Sequence, residues 1–145
     1  MIRASHSSDA ETTWRAVLAG GAAAPGLARR EIAEHLDGEL GAERSEDVVL
    51  LAGELVTNSV LHADSDAAHD IVLELIIGLD AVRVVVTDGG SSEVPTIQPL
   101  DPRRPGGRGL FLVETLSDSW GMTRDGSHET RVWFEMLRGP APPLL

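Results

Sequence analysis

The apolar positions of this chain change their period along its length, and the changes mark out the elements. After a polar stretch from Ser7 to Thr13, expected to be loose, residues 14–19 (WRAVLA) read as a short first strand. Pro25 opens a helix that runs through Leu36, because proline's fixed φ suits a first helical turn, and Gly38 and Gly41 end it. A longer helix is expected from Ser45, as its N-cap, to about His62, with Glu46 and Asp47 placed favourably against the helix dipole. Its apolar stripe is Val48, Val49, Ala52, Leu55, Val56 and Val60. Beyond a polar break at 64–70 come two runs rich in β-branched residues, Ile71–Ile77 and Ala81–Thr87, joined by Gly78-Leu79-Asp80.

The rhythm then stops. The segment from Gly89 to Gly106 holds four of the chain's eight prolines and shows no periodicity. Such a long aperiodic stretch inside a small domain reads as a lid or binding loop. A helix at Gly109–Leu116 follows, then strands at Ser119–Arg124 and Thr130–Leu137. This order implies one domain over residues 11–138, between a flexible N-terminus at 1–10 and a flexible tail at 139–145, with no internal repeat.

Composition narrows the classes. A chain of 145 residues can bury roughly two-thirds of its unfolded surface in one core. It has no cysteine, which removes disulfides, thiolate zinc sites and cysteine nucleophiles together and suits a reducing compartment. No run approaches the ~18 apolar residues of a membrane span, and the polar N-terminus lacks the apolar core of a secretion signal. The expectation is a cytoplasmic protein with no membrane partner. Its 23 acidic and 12 basic residues give a formal net charge of -11, which speaks against nucleic acid as a partner. Every basic residue is arginine, so a lysine-dependent phosphate loop is excluded.

Four constellations could carry chemistry. On the long helix, Glu54 and Asn58 project from one face about 40° apart, opposite the apolar stripe. Two readings fit: a solvated polar face, or a covered cleft, because Leu50, Leu51 and Leu61 border the pair. A glutamate can act as a base, and asparagine offers a carbonyl oxygen to a hard cation such as Mg²⁺. His62 falls two turns after Glu54, either lining the same cleft or closing the helix where the dipole favours it. Strand alternation puts Asp88 on the side of Val82, Val84 and Val86, where a carboxylate needs a partner such as an adenine amino group; a solvated Asp-Gly turn is the alternative.

The third constellation is Gly106-Gly107-Arg108-Gly109-Leu110. Glycines directly before a helix let backbone N–H groups approach a phosphate, and Arg103, Arg104 and Arg108 add positive charge there. An ordinary flexible helix entry beside a solvated arginine cluster has the same appearance. The fourth is Thr130, whose alternation matches Val132, Phe134 and Met136. If its strand lies antiparallel beside Ala81–Thr87, Thr130 and Asp88 meet at one edge; otherwise it is a β-forming residue at a strand start. His6, His35, His69 and His128 lack metal-ligand spacing and read as surface residues.

In order and spacing these pieces resemble the histidine-kinase-like (GHKL) ATPase superfamily of gyrase, heat-shock chaperone, histidine-kinase and mismatch-repair ATPases. Glu54-x-x-x-Asn58 is similar to its N box, Asp88-x-Gly90 to its G1 box, Gly107-x-Gly109 to its G2 box, and Thr130 to the threonine of its final strand. More narrowly, ELVTNSVLHA, VTDGG, GGRGLFLVETLSDSWG and TRVWFEM resemble the short bacterial anti-sigma-factor serine kinases, over about Pro25 to Leu137. The pattern departs at His128-Glu129, where relatives commonly carry glycine or lysine, and at Ser91-Ser92, where another glycine is usual.

The resemblance implies an α+β two-layer sandwich: a mixed, mostly antiparallel sheet with helices on one face, and ATP between helices and lid. It implies Asn58 on Mg²⁺, Asp88 on adenine, and Glu54 activating the attacking hydroxyl. Gly90, Gly107, Gly109 and Leu110 would surround the nucleotide with His62, Arg104, Arg108 and Thr130. The implied partners are a sigma factor and a small anti-sigma antagonist protein whose serine is phosphorylated, with a homodimer as a further expectation. The alternative is a nucleotide-gated binding module of the same fold without kinase activity.

Overall fold

Alternate residues of the strand segments are buried, and together they tile one face of a six-stranded sheet. A computed structural model describes residues 2–8, 11–62, 70–89, 109–124 and 129–139. The strands are β1 (Ile2–Ser8), β2 (Glu11–Ala19), β3 (Asp70–Ile77), β4 (Ala81–Asp88), β5 (Ser119–Arg124) and β6 (Thr130–Leu137), in the order β1-β2-β3-β4-β6-β5. The tiled face carries Trp14, Ala16 and Leu18 from β2, Ile71, Leu73 and Leu75 from β3, Val82, Val84 and Val86 from β4, and Val132, Phe134 and Met136 from β6. Against it pack α1 (Ala24–Leu36), α2 (Ala42–His62) and α3 (Gly109–Leu116), which seal one hydrophobic core. The opposite face shows the other half of the alternation, including Arg15, Glu74, Arg83, Trp133 and Glu135.

This is the α+β two-layer arrangement expected, with one difference. Every strand pairing is antiparallel among the described residues, so the sheet is not mixed. The reason lies in the α3 crossover. It delivers β5 in the same direction as β4, but β6 inserts between the two and pairs antiparallel with both.

Three local expectations are corrected. The N-terminal residues expected to be loose form β1 and the start of β2, paired from Ile2↔Ala16 to Ser8↔Glu11 with an irregularity between His6 and Ser8. Polar strands at a sheet edge have no apolar alternation to announce them. Ser45 is not an N-cap: α2 begins at Ala42, and the Ser45 amide already donates to the Gly41 carbonyl at 2.9 Å. Ala42, Glu43 and Arg44 are good helix formers, so the helix propagates back to Gly41. His35, expected at the surface, is half-buried at the end of α1, with its ring stacked on Trp14 at 4.4 Å.

The end of the sheet away from Asp88 and Thr130 is tied by two arginines. Arg138 donates to the carbonyls of Gly78 and Glu39, both at 2.9 Å, while its own amide donates to Asp80 at 2.8 Å. Arg44 at the head of α2 donates to the Leu137 carbonyl at 2.6 Å. These bonds fix the α1–α2 connection and the β3–β4 turn to the end of β6. Among the described residues no helix is long and apolar enough to cross a membrane.

Candidate functional site

α2 packs against α1 on one flank, α3 on another, and β4 and β6 beneath. That surroundings corrects the picture of its polar pair. Glu54 is not on an open face opposite the core, for it is only 7% exposed, and residues 51–56 are buried all round the helix. Of the bordering leucines, Leu51 has joined the core, whereas Leu50 and Leu61 are 38% and 50% exposed. Glu54 is therefore covered rather than solvated, with exposed leucines about one turn before and two turns after it.

Asn58, one turn beyond Glu54, is half-buried, and its side-chain oxygen Oδ1 is buried without a hydrogen-bond partner. A buried carbonyl oxygen left unpaired costs free energy. It is also an oxygen donor of the kind hard cations take. His62 ends α2, and its side chain lies outside the described residues.

Asp88 and Thr130 meet as the alternation suggests. They are direct antiparallel partners, Asp88 closing β4 and Thr130 opening β6, with Ile71 and Arg124 as their outer neighbours in the same row. Asp88 is 8% exposed and Thr130 only 2%. The Thr130 hydroxyl, Oγ1, is a second buried atom without a partner. An unpaired hydroxyl beside a buried carboxylate, at the end of two strands, puts donor and acceptor capacity side by side.

The helix entry is described only in part. α3 starts at Gly109, and Leu110 in its first turn is buried in the core. Gly90, Arg104, Gly107 and Arg108 lie outside the described residues, as does all of the expected lid from Gly89 to Gly106 except Gly89 itself. The residues present fit a nucleotide with a divalent cation in two respects: an orphaned oxygen on α2 for the metal, and an orphaned hydroxyl beside a carboxylate for the base.

One position escaped sequence reading. A Cβ on Gly53 would lie 2.8 Å from both Cγ and a terminal nitrogen of Arg29, so glycine lets this α1 arginine lie across α2 directly beside Glu54. The signal available was a glycine in mid-helix, where it costs ~1 kcal/mol against alanine and so asks for a packing reason.

Known proteins match this arrangement. Residues 21–136 match the model of the histidine kinase-like ATPase domain. A serine-protein kinase RsbW of Listeria monocytogenes serovar 1/2a is 39% identical over 88 residues, covering 52% of this chain and 56% of that protein. Its namesake in Listeria innocua is 38% identical over the same shares. The chain thus matches little more than half the length of these relatives. In three dimensions it resembles the crystal structure of the RsbU and RsbW domains of a Mycobacterium tuberculosis protein. That likeness has a TM-score of 0.66 and 21% identity, and covers 92% of this chain and 34% of the other.

Proposed function

The chain belongs to the histidine kinase-like ATPase domain family, and on that premise we propose that it binds Mg·ATP and phosphorylates a serine of a partner protein. The observation that carries this reading is that two of the four buried side-chain atoms left without a hydrogen-bond partner among the described residues are Asn58 Oδ1, one turn beyond Glu54 on α2, and Thr130 Oγ1, beside Asp88 in the sheet. Polar atoms buried without partners are rare in folded proteins, and a bound water, ion or ligand is the usual way to satisfy them.

In this reading Asp88 accepts a hydrogen bond from the adenine amino group, and Thr130 completes the contact to the base. Asn58 holds the metal, which when bound neutralises phosphate charge and orients the triphosphate. Gly90, Gly107, Gly109 and Leu110 shape the surroundings, with Arg104, Arg108 and His62 adding polar contacts. Glu54 takes the proton of the acceptor serine as its oxygen attacks the terminal phosphorus; the bond to the bridging oxygen breaks and ADP leaves. Phosphoryl transfer needs little beyond such positioning and charge neutralisation.

The similarity to serine-protein kinases RsbW supports this choice among the family's activities. The proposal extends to a cytoplasmic switch in which the chain, as a homodimer, holds a sigma factor and phosphorylates the small antagonist that competes for it. The test is transfer of radioactive terminal phosphate from ATP to serine in proteins co-purified from the native host. Wild type should label one small protein. Glu54→Gln should bind ATP nearly as well yet lose roughly 10²–10⁴ in transfer rate. ATP binding without any labelled serine would leave a nucleotide-gated binding module.

A further inference from the structure

Arg29 is an exposed residue of α1 whose side chain is seated on the neighbouring helix. A Cβ on Gly53 would lie 2.8 Å from its Cγ and a terminal nitrogen and 2.9 Å from its Cδ, so stem and guanidinium rest on bare α2 backbone. Glycine is disfavoured inside a helix, yet here it is what lets the arginine lie flat. The guanidinium makes no hydrogen bond or ion pair among the described residues, whereas those of Arg44, Arg83 and Arg138 all do. Arg29 lines an open groove of about 620 Å³ between α1 and α2, and the carboxylates on that groove, Asp37 and Glu46, do not pair with it. A planar fork of N–H donors is thus held in place and left unused.

Its position relative to Glu54 decides what it faces. At about 100° per residue, Asn58 lies about 40° round α2 from Glu54 on one side, and Gly53 about 100° round on the other. In the phosphotransfer reading the metal and triphosphate occupy the Asn58 side. The acceptor hydroxyl then reaches Glu54 from the opposite side, where Arg29 lies. We propose that Arg29 fixes the phosphate-accepting protein by a two-pronged salt bridge to an aspartate or glutamate close to its reactive serine. A carboxylate matches the guanidinium fork in both shape and charge. The nucleotide's own phosphates lie beyond Glu54. This inference rests on the phosphotransfer reading above and adds what selects and orients the acceptor, since a bidentate bond beside the base sets direction as well as distance.

The test measures transfer to the serine protein labelled by wild type, purified and titrated as substrate. Arg29→Ala should raise its KM roughly tenfold or more, the usual weight of a charge-assisted pair. kcat at saturation and Mg·ATP affinity by calorimetry should stay unchanged. Arg29→Lys should recover little, because an ammonium keeps the charge but not the fork. Gly53→Ala should also raise KM without lowering Tm, since the added methyl group displaces Arg29 while alanine favours the helix. A contact that only joins the two helices would move Tm and leave KM alone. Neutralising the acceptor's acidic residues one at a time should find one whose loss adds nothing in the Arg29→Ala background. Unchanged KM in Arg29→Ala or Gly53→Ala, or the lack of any such acidic residue, overturns the assignment while phosphotransfer stands. Weaker Mg·ATP binding in Arg29→Ala also overturns it, by placing the guanidinium on the nucleotide. Absence of any labelled protein with wild type instead defeats the phosphotransfer reading, and this inference with it.

Discussion

Replacing Thr130 by valine should move two observables in opposite directions. The side chain is 2% exposed and its hydroxyl has no hydrogen-bond partner. An unsatisfied buried polar group typically costs ~1–3 kcal/mol. Valine has nearly the same shape and an equal liking for a strand, so the variant should be stabilised by about 1 kcal/mol without nucleotide. For a chain of this size that corresponds to a rise in Tm of roughly 3 °C. If the hydroxyl is kept for a ligand, the same change removes one hydrogen bond to it, worth ~0.5–1.5 kcal/mol. Mg·ATP affinity should then fall roughly 2- to 12-fold.

Thr87 supplies the control. It too is buried with an unpaired hydroxyl, but alternation sends it to the opposite face of the sheet, one residue from Asp88. Thr87→Val should raise Tm by a similar amount and leave nucleotide affinity untouched. Scanning calorimetry without ligand and titration calorimetry with Mg·ATP read the two effects. A lower Tm in Thr130→Val, or equal loss of affinity in both variants, would refute the idea that Thr130 is held unpaired for a ligand.

Three further predictions concern single side chains. Asn58→Ala should abolish most of the gain in ATP affinity that Mg²⁺ provides, while affinity for ATP in chelator changes little; an unaltered Mg²⁺ dependence, measured by titration, would remove Asn58 as the metal residue. Arg138→Ala should lower Tm by about 3–6 °C, equivalent to ~1–2 kcal/mol, because it strips hydrogen bonds from the Gly78 and Glu39 carbonyls. Glu39→Gln should change Tm little, since the ion pair at 3.2 Å joins partly exposed side chains. A larger effect at Glu39 would mean that the charge, not the carbonyl bonds, holds this corner.

Much of the fold was legible because strand alternation and register share a period of two. Once Asp88 followed Val86 and Thr130 preceded Val132, their meeting required only that β4 and β6 pair antiparallel. The same logic could not reach β1, whose polar residues carry no alternation, nor the inner strand position of β6, which depends on how α3 crosses the sheet. The start of α2 was missed because Ser45 is a good cap in isolation, while helix propagation back to Gly41 depends on a longer run of residues. The burial of Glu54 was half legible. Its leucine neighbours hinted at a cleft, but only the packing of α1 and α3 around α2 shows which leucine is covered. The Arg29–Gly53 contact joins two helices, and nothing local to either residue announces it.

The nucleotide site itself is tested most directly by titrating Mg·ATP into wild-type protein and Asp88→Asn side by side. Asp88 is buried at the end of β4 beside the unpaired Thr130 hydroxyl. The substitution keeps its shape but replaces a charged acceptor by an amide. A hydrogen bond to a charged group is worth ~1.5–3 kcal/mol, so affinity should fall roughly ten- to hundredfold. Saturable binding to wild type with that loss in the variant is the expected result. Equal affinity in the two proteins, or no binding to wild type, would contradict the assignment of this end of the sheet to ATP.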